Sequence, residues 1–144
     1  MLGDWYIEMQ AEARAVLIAA VAASPDLPRP TFAWEGERFT PTADPFITET
    51  FRPDTTRQAS VGRASGTIEH RATVALVLQY PPGEGTNTAR RMATLIMDAF
   101  RPGRRLERAG CAAWVEKVDP RPSYQDVDRL TLPVNIGLIG HTNL

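Results

Sequence analysis

One cysteine, one lysine and two histidines are all that 144 residues contain of those types. A single thiol, Cys111, cannot close an internal disulfide, which points to a reducing compartment or to indifference to redox state. Cys111, His70 and His141 cannot supply the four ligands of a structural zinc site, so neither a metal nor a cofactor is expected. Charge of one sign is not in excess: 16 basic and 17 acidic residues leave a formal net charge of −1. That balance argues against a generic binder of DNA or of membrane surfaces. Long hydrophobic runs are also missing. The most apolar stretch, residues 14–23, is too short to span a bilayer, and Asp4, Glu8 and Glu12 precede it where a secretory signal would need positive charge. It is expected to be a helix of a cytosolic chain. No repeat, low-complexity tract or Gly/Ser linker divides the sequence. At this length one domain, burying roughly 70% of its unfolded surface without staples, is expected.

Arginine is what the sequence has in abundance, with Lys117 the lone lysine among the basic residues. The planar guanidinium suits bidentate pairing at subunit boundaries, although an arginine-, alanine- and proline-rich codon bias is the plainer account.

Two helices are expected. Over residues 4–23, Trp5, Met9, Ala13, Val16, Leu17, Ala20 and Val21 recur at three- and four-residue steps, with Asp4 as the N-cap and Ser24-Pro25 as the stop. From caps at Thr86 and Asn87, a second helix is expected to run to residue 100, with Ala89, Met92, Leu95, Ile96, Ala99 and Phe100 on one stripe. The clearest strand is 67–80, where Ala72, Val74, Leu76, Leu78 and Tyr80 form a core face and Arg71, Thr73, Ala75, Val77 and Gln79 an amphipathic one. Shorter strands are expected at 46–52, 57–61, 104–108, 111–118 and 127–139, with Phe32, Trp34 and Phe39 on short strands or an extended arm. Pro133 is expected at a sheet edge or a bulge because it cannot donate to a ladder. Strands that come in runs predict an α+β fold: a largely antiparallel or mixed sheet with two helices packed on one face.

Catalytic chemistry finds little support. His70 shares parity with the core face and reads as a hydrogen-bonded structural residue. His141 lies close to the last residue, where order is poor. Ser24, Ser60, Ser65 and Ser123 sit in no nucleophile-elbow pattern. The turn from Gly83 to Asn87 precedes a helix but lacks the Gly-Lys-Ser/Thr ending of a phosphate loop and carries Glu84 where a phosphate would be repelled. The pairs Asp126/Asp128 and Glu35/Glu37 read as solvated residues or ion-pair partners. One charge cluster remains, Arg90, Arg91, Arg101, Arg104, Arg105 and Arg108, offset by Asp98 and Glu107. A solvated helix face, a protein contact and a path for nucleic-acid phosphates all fit it.

The order of the pieces resembles one family. An N-terminal helix, an aromatic segment, a long strand, Tyr80-Pro81-Pro82-Gly83-Glu84-Gly85, a helix closing on Phe100 and a final strand around Leu132-Pro133-Val134-Asn135-Ile136 are similar to the tail terminators of long-tailed bacteriophages and gene transfer agents. Leu130 stands where that family leads into its last strand with an aromatic residue. The resemblance implies a structural protein without catalysis, located in the tail of a virion or phage-like particle and in host cytoplasm during assembly. It implies a hexameric ring on the head-proximal end of the tail tube, which stops tube polymerisation and offers a docking surface to the head connector. Implied partners are further copies of the chain, the tube protein and the connector or stopper, with DNA passing only through the lumen and no membrane. Interface residues are expected at Arg52, Arg57, Arg63 and Ser65, in polar loops facing tube or neighbour, and at Arg104, Arg105 and Arg108, paired with a neighbour's carboxylates. A head-closure or neck protein of the same particle, or an α+β nucleic-acid-binding domain, would satisfy the same sequence features.

Overall fold

A computed structural model describes residues 2–24, 27–58, 66–83, 86–126 and 128–143. The elements are α1 (Leu2–Ala22), β1 (Thr31–Trp34), β2 (Phe46–Gln58), β3 (Thr67–Tyr80), α2 (Asn87–Ala99), β4 (Arg105–Arg108), β5 (Cys111–Pro120), β6 (Tyr124–Gln125) and β7 (Leu130–Asn143). Six strands pair in the order β1-β2-β3-β7-β5-β4, and β6 adds to β7. Only β1 and β2 run parallel; every other pair is antiparallel. This is the expected α+β fold with a mixed sheet.

Alternation builds the core. The predicted face of β3, from Ala72 to Tyr80 at every second residue, is buried, and Ile47 and Phe51 of β2 and Val134, Ile136 and Leu138 of β7 join it from either side. Both helices cover that face. All seven predicted stripe residues of α1 are buried, as are Ala89, Met92, Ile96 and Phe100 from the second helix and its C-cap. At 25 cal/mol per Å² of apolar surface, each large side chain removed from water here contributes roughly 2 kcal/mol.

Two polar anchors fix α1 on the sheet. Trp5 lies over Gly140, where a Cβ would come within 2.6 Å of the indole ring, and donates its Nε1–H to the Ala112 carbonyl at 2.9 Å. Farther along, Arg14 donates from Nε to both oxygens of the buried Glu49 carboxylate at 3.2 Å and from Nη2 to Oε1 at 3.0 Å. Gln10 Nε2 and the Glu35 backbone N–H complete the shell of that carboxylate. A buried charge is tolerable because its oxygens are saturated with donors.

Several expectations are corrected. The turn expected after Arg52 is a bulge inside one continuous strand: Pro53 faces Ala72, Thr55 faces Arg71, and Asp54 is the extra residue. Past Glu49, β2 has no neighbour on its β1 side, so a proline there breaks no ladder. The expected second strand at 57–61 is therefore the end of β2, and its residues 59–61 lie outside the described residues. Asp4 sits in the first turn of α1 and not at its cap. Thr86 occupies the α2 N-cap in an αR conformation, and its side chain makes no capping bond. The last strand begins later than expected and continues through His141, which pairs with Glu69 in the ladder, so this histidine is ordered by the sheet. Pro133 lies on an interior strand, yet in a gap: β5 leaves β7 at Val134 and β6 joins it at Thr131, and Arg121 N–H donates to the Pro133 carbonyl there.

Candidate assembly interface

With both helices on one face, the opposite face of the sheet is left open, and the register lays out its side chains in rows. One row reads Arg57, Glu69, His141; the next Thr55, Arg71, Ile139, Trp114, Arg105; the third Arg52, Thr73, Gly137, Lys117. Basic residues predominate in these rows, and Arg57, Arg71 and Arg52 each hold a carboxylate of their own chain. Arg57 donates from Nε to Glu69 Oε2 at 2.7 Å, and Arg71 reaches the same oxygen at 3.5 Å. Arg71 also grips Glu116, the bulged residue of β5, at 2.8 and 2.6 Å. The hydrogen bond from Arg57, aided by the charge of Arg71 and opposed by burial, holds the Glu69 carboxyl below its ordinary value. Arg52 Nε bonds Asp54 Oδ1 at 3.3 Å, and Thr73 Oγ1 donates to the other oxygen at 2.6 Å.

Trp114 stands out on this face. It is 40% exposed, and the Arg105 guanidinium lies 5.6 Å from its ring centroid. A half-exposed indole beside a guanidinium has the anatomy of an interface anchor, since Trp and Arg dominate binding hot spots. Sequence reasoning passed over Trp114. Parity could have found it, because the residue falls between the buried Ala113 and Val115.

The expected interface residues are not gathered in one place. Arg52, Arg57 and Arg105 belong to the open face, Arg52 and Arg57 on a strand and not in a loop. Arg104 donates from Nη1 to the Ala99 carbonyl at 2.7 Å, satisfying the C-terminal end of α2. Arg108 turns to the helical side and lies 3.5 Å from both Glu8 and Glu12 of α1. Arg63 and Ser65 lie outside the described residues. The six-arginine cluster thus divides between α2, its C-terminal turn and the two sides of edge strand β4.

His70 is a structural histidine, as its parity predicted. Fully buried, it stacks on Trp5 at 4.9 Å between centroids and bonds Thr142 Oγ1 through Nε2 at 2.8 Å and Thr56 Oγ1 through Nδ1 at 3.3 Å. Burial, with His141 nearby, pushes its pKa below the ordinary histidine value. Among the described residues no group of three or more His, Cys, Asp or Glu could hold a metal ion, and no helix is long and apolar enough to cross a membrane.

Comparison with known proteins follows from this geometry. One solved structure is similar over 94% of this chain and 94% of its own, at 19% identity and a TM-score of 0.73, a likeness of fold. No curated protein matches the sequence. The family model described as phage tail terminator protein matches residues 11–137, from the middle of α1 into β7. The chain belongs to the phage tail terminator family, and its role is a structural one in a phage tail.

Proposed function

We propose that the chain acts as a single, non-enzymatic domain that closes into a hexameric ring at the head-proximal end of the tail tube. The ring stops tube polymerisation, presents the docking surface for the head connector and lets DNA pass through its lumen. The supporting observation is the open sheet face, with Trp114 beside Arg105 at one edge and the ion-paired Arg52, Arg57 and Arg71 farther across it, in a chain of the terminator family. Apolar anchoring inside a polar surround suits a contact that must form from a soluble subunit. A ring requires two different patches that meet head to tail and close by rotation. We place Arg105, Arg52 and Arg57 at such contacts, and Arg63 and Ser65 in the adjoining segment. Arg104 and Arg108, like Arg52 and Arg57, hold partners within their own chain, and Arg108 does so on the helical side.

The test is a tube-length assay with purified tube protein. Addition of this chain should arrest elongation and leave a six-fold cap by electron microscopy and native mass spectrometry. A ring that binds the connector but leaves tube growth unchanged would assign the chain to head closure instead.

A further inference from the structure

α2 carries two arginines that its own helix does not use. Arg90 and Arg91 are exposed just past its first turn, where a cation opposes the macrodipole, and no carboxylate stands three or four residues away to pair with either. Among the described residues neither side chain has an ion-pair partner. Two grooves meet at these arginines. One runs between Leu27 and α2 and is lined by Arg90, Arg91 and Leu95. The other lies between α2 and the stretch that bridges β5 and β6, where the sheet has its gap, and is lined by Arg90, Met97, Leu132 and Pro133. Arg90 and Thr94 belong to both grooves, and no carboxylate lines either. Arg121, also in the second groove, holds the nearby Asp119, and Asp98 lies about two turns past Arg91, outside both.

We propose that this surface receives an acidic segment of another protein, whose carboxylates pair with Arg90 and Arg91 while an apolar side chain enters the groove beside Met97. Charge selects the occupant. Two unpaired guanidinium forks favour carboxylates, which they bind bidentately, and the groove lining offers no carboxylate to repel them. Arg90 and Met97 are about 10 Å apart along the helix, a span covered by about three residues of extended chain. The segment therefore carries its apolar residue about three positions from its acidic pair. Phosphates of a nucleic acid would answer the arginines alone and leave Met97, Leu132 and Pro133 without a partner, so a peptide fits the whole surface better. This surface belongs to α2, on the helical side of the molecule. It is distinct from the open sheet face, and the proposal does not rest on the ring.

A peptide array read by fluorescence anisotropy tests it. The probes are eight-residue peptides with two adjacent glutamates and one Leu, Phe or Trp two to five positions on; controls carry Gln for Glu, or Ser for the apolar residue. The wild-type chain should bind the acidic, apolar peptides and bind both controls more weakly. R90E/R91E should weaken the best peptide by about tenfold or more while melting like the wild type, and should bind the same peptide with lysines in place of its glutamates. Met97→Ser should weaken the original peptide without altering the salt dependence of its binding. Binding of none of the peptides overturns the proposal, as does equal binding of the Gln controls. A duplex oligonucleotide held through Arg90 and Arg91 more tightly than any peptide overturns it in favour of nucleic acid. A change in the chain's own oligomeric mass with R90E/R91E makes this face a contact between copies and overturns it too. Peptide binding by a chain that forms no ring supports the proposal and leaves the ring reading to fail by itself.

Discussion

At Gly140 the backbone approaches Trp5 so closely that an added Cβ would lie 2.6 Å from the indole Nε1, from Cζ2 and from the Ala112 carbonyl oxygen. That carbonyl is the acceptor of the Trp5 hydrogen bond, so relief cannot come from moving one flexible side chain. Gly140→Ala should destabilise the fold by about 2–3 kcal/mol, measured by denaturant unfolding, while Gly137→Ala should cost less because its neighbour is the flexible Lys117 stem. His70 gives the molecule an acid limit. Its folded pKa lies below the ordinary value, so on lowering pH the unfolded chain takes the proton first. Stability is full above about pH 6.5 and should decline as pH falls below it. Glu69, also shifted down, adds a second loss below its own ordinary range. Thermal melts from pH 7.5 to 5 should show this slope, and His70→Gln should flatten its upper part.

At the scale of elements, the β4–β5 hairpin turns on Ala109 and Gly110, both left-handed at φ of 51° and 82°. This is the backbone of a type I′ turn, in which asparagine is favoured first and alanine is strained. Ala109→Asn should stabilise the protein by about 0.5–1 kcal/mol in equilibrium unfolding, with Ala109→Pro as the destabilising control. The same scale shows which parts of the fold were legible. Long periodic elements were: the α1 stripe and the β3 core face each follow a period without interruption and are buried throughout, although Glu69 and Thr73 on the other face of β3 are buried as well. Punctuation misled at Pro53-Asp54, since proline and aspartate signal a turn locally, whereas a long neighbouring strand supplies partners on both sides of a bulge. β6 was illegible because two exposed residues have no pattern, and only the nearby start of β7 pairs them. The arginine cluster was legible as charge but not as place. Which arginine caps a helix, which pairs with α1 and which lies on an indole depends on tertiary neighbours that no spacing encodes.

For the whole molecule, the decisive asymmetry is one covered and one open sheet face. On the open face Arg52, Arg57 and Arg71 hold carboxylates of their own chain, and surface pairs of this kind add little stability. In the proposed ring contact such pairs set which surfaces fit, and Trp114 supplies the affinity. Trp114→Ala should therefore leave the melting of the free chain within about 0.5 kcal/mol of the wild type. It should weaken ring formation or tube capping by about 2 kcal/mol or more, read as a displaced midpoint in a concentration series. Equal capping by the variant would move the contact away from this edge.

The hydrogen bond from Trp5 to Ala112 closes a span of 107 residues, and the floor beneath that ring is Gly140. The sheet compounds the separation, for Thr67 meets Asn143 and Tyr80 meets Leu130. On a ribosome α1 emerges before β5 and β7, yet its seat exists only after both have been made. This helix is thus among the last parts to be fixed, and until β7 is made its apolar stripe stays uncovered. Pairing so distant in sequence folds slowly, and subunits become competent for assembly only when β7 has been delivered.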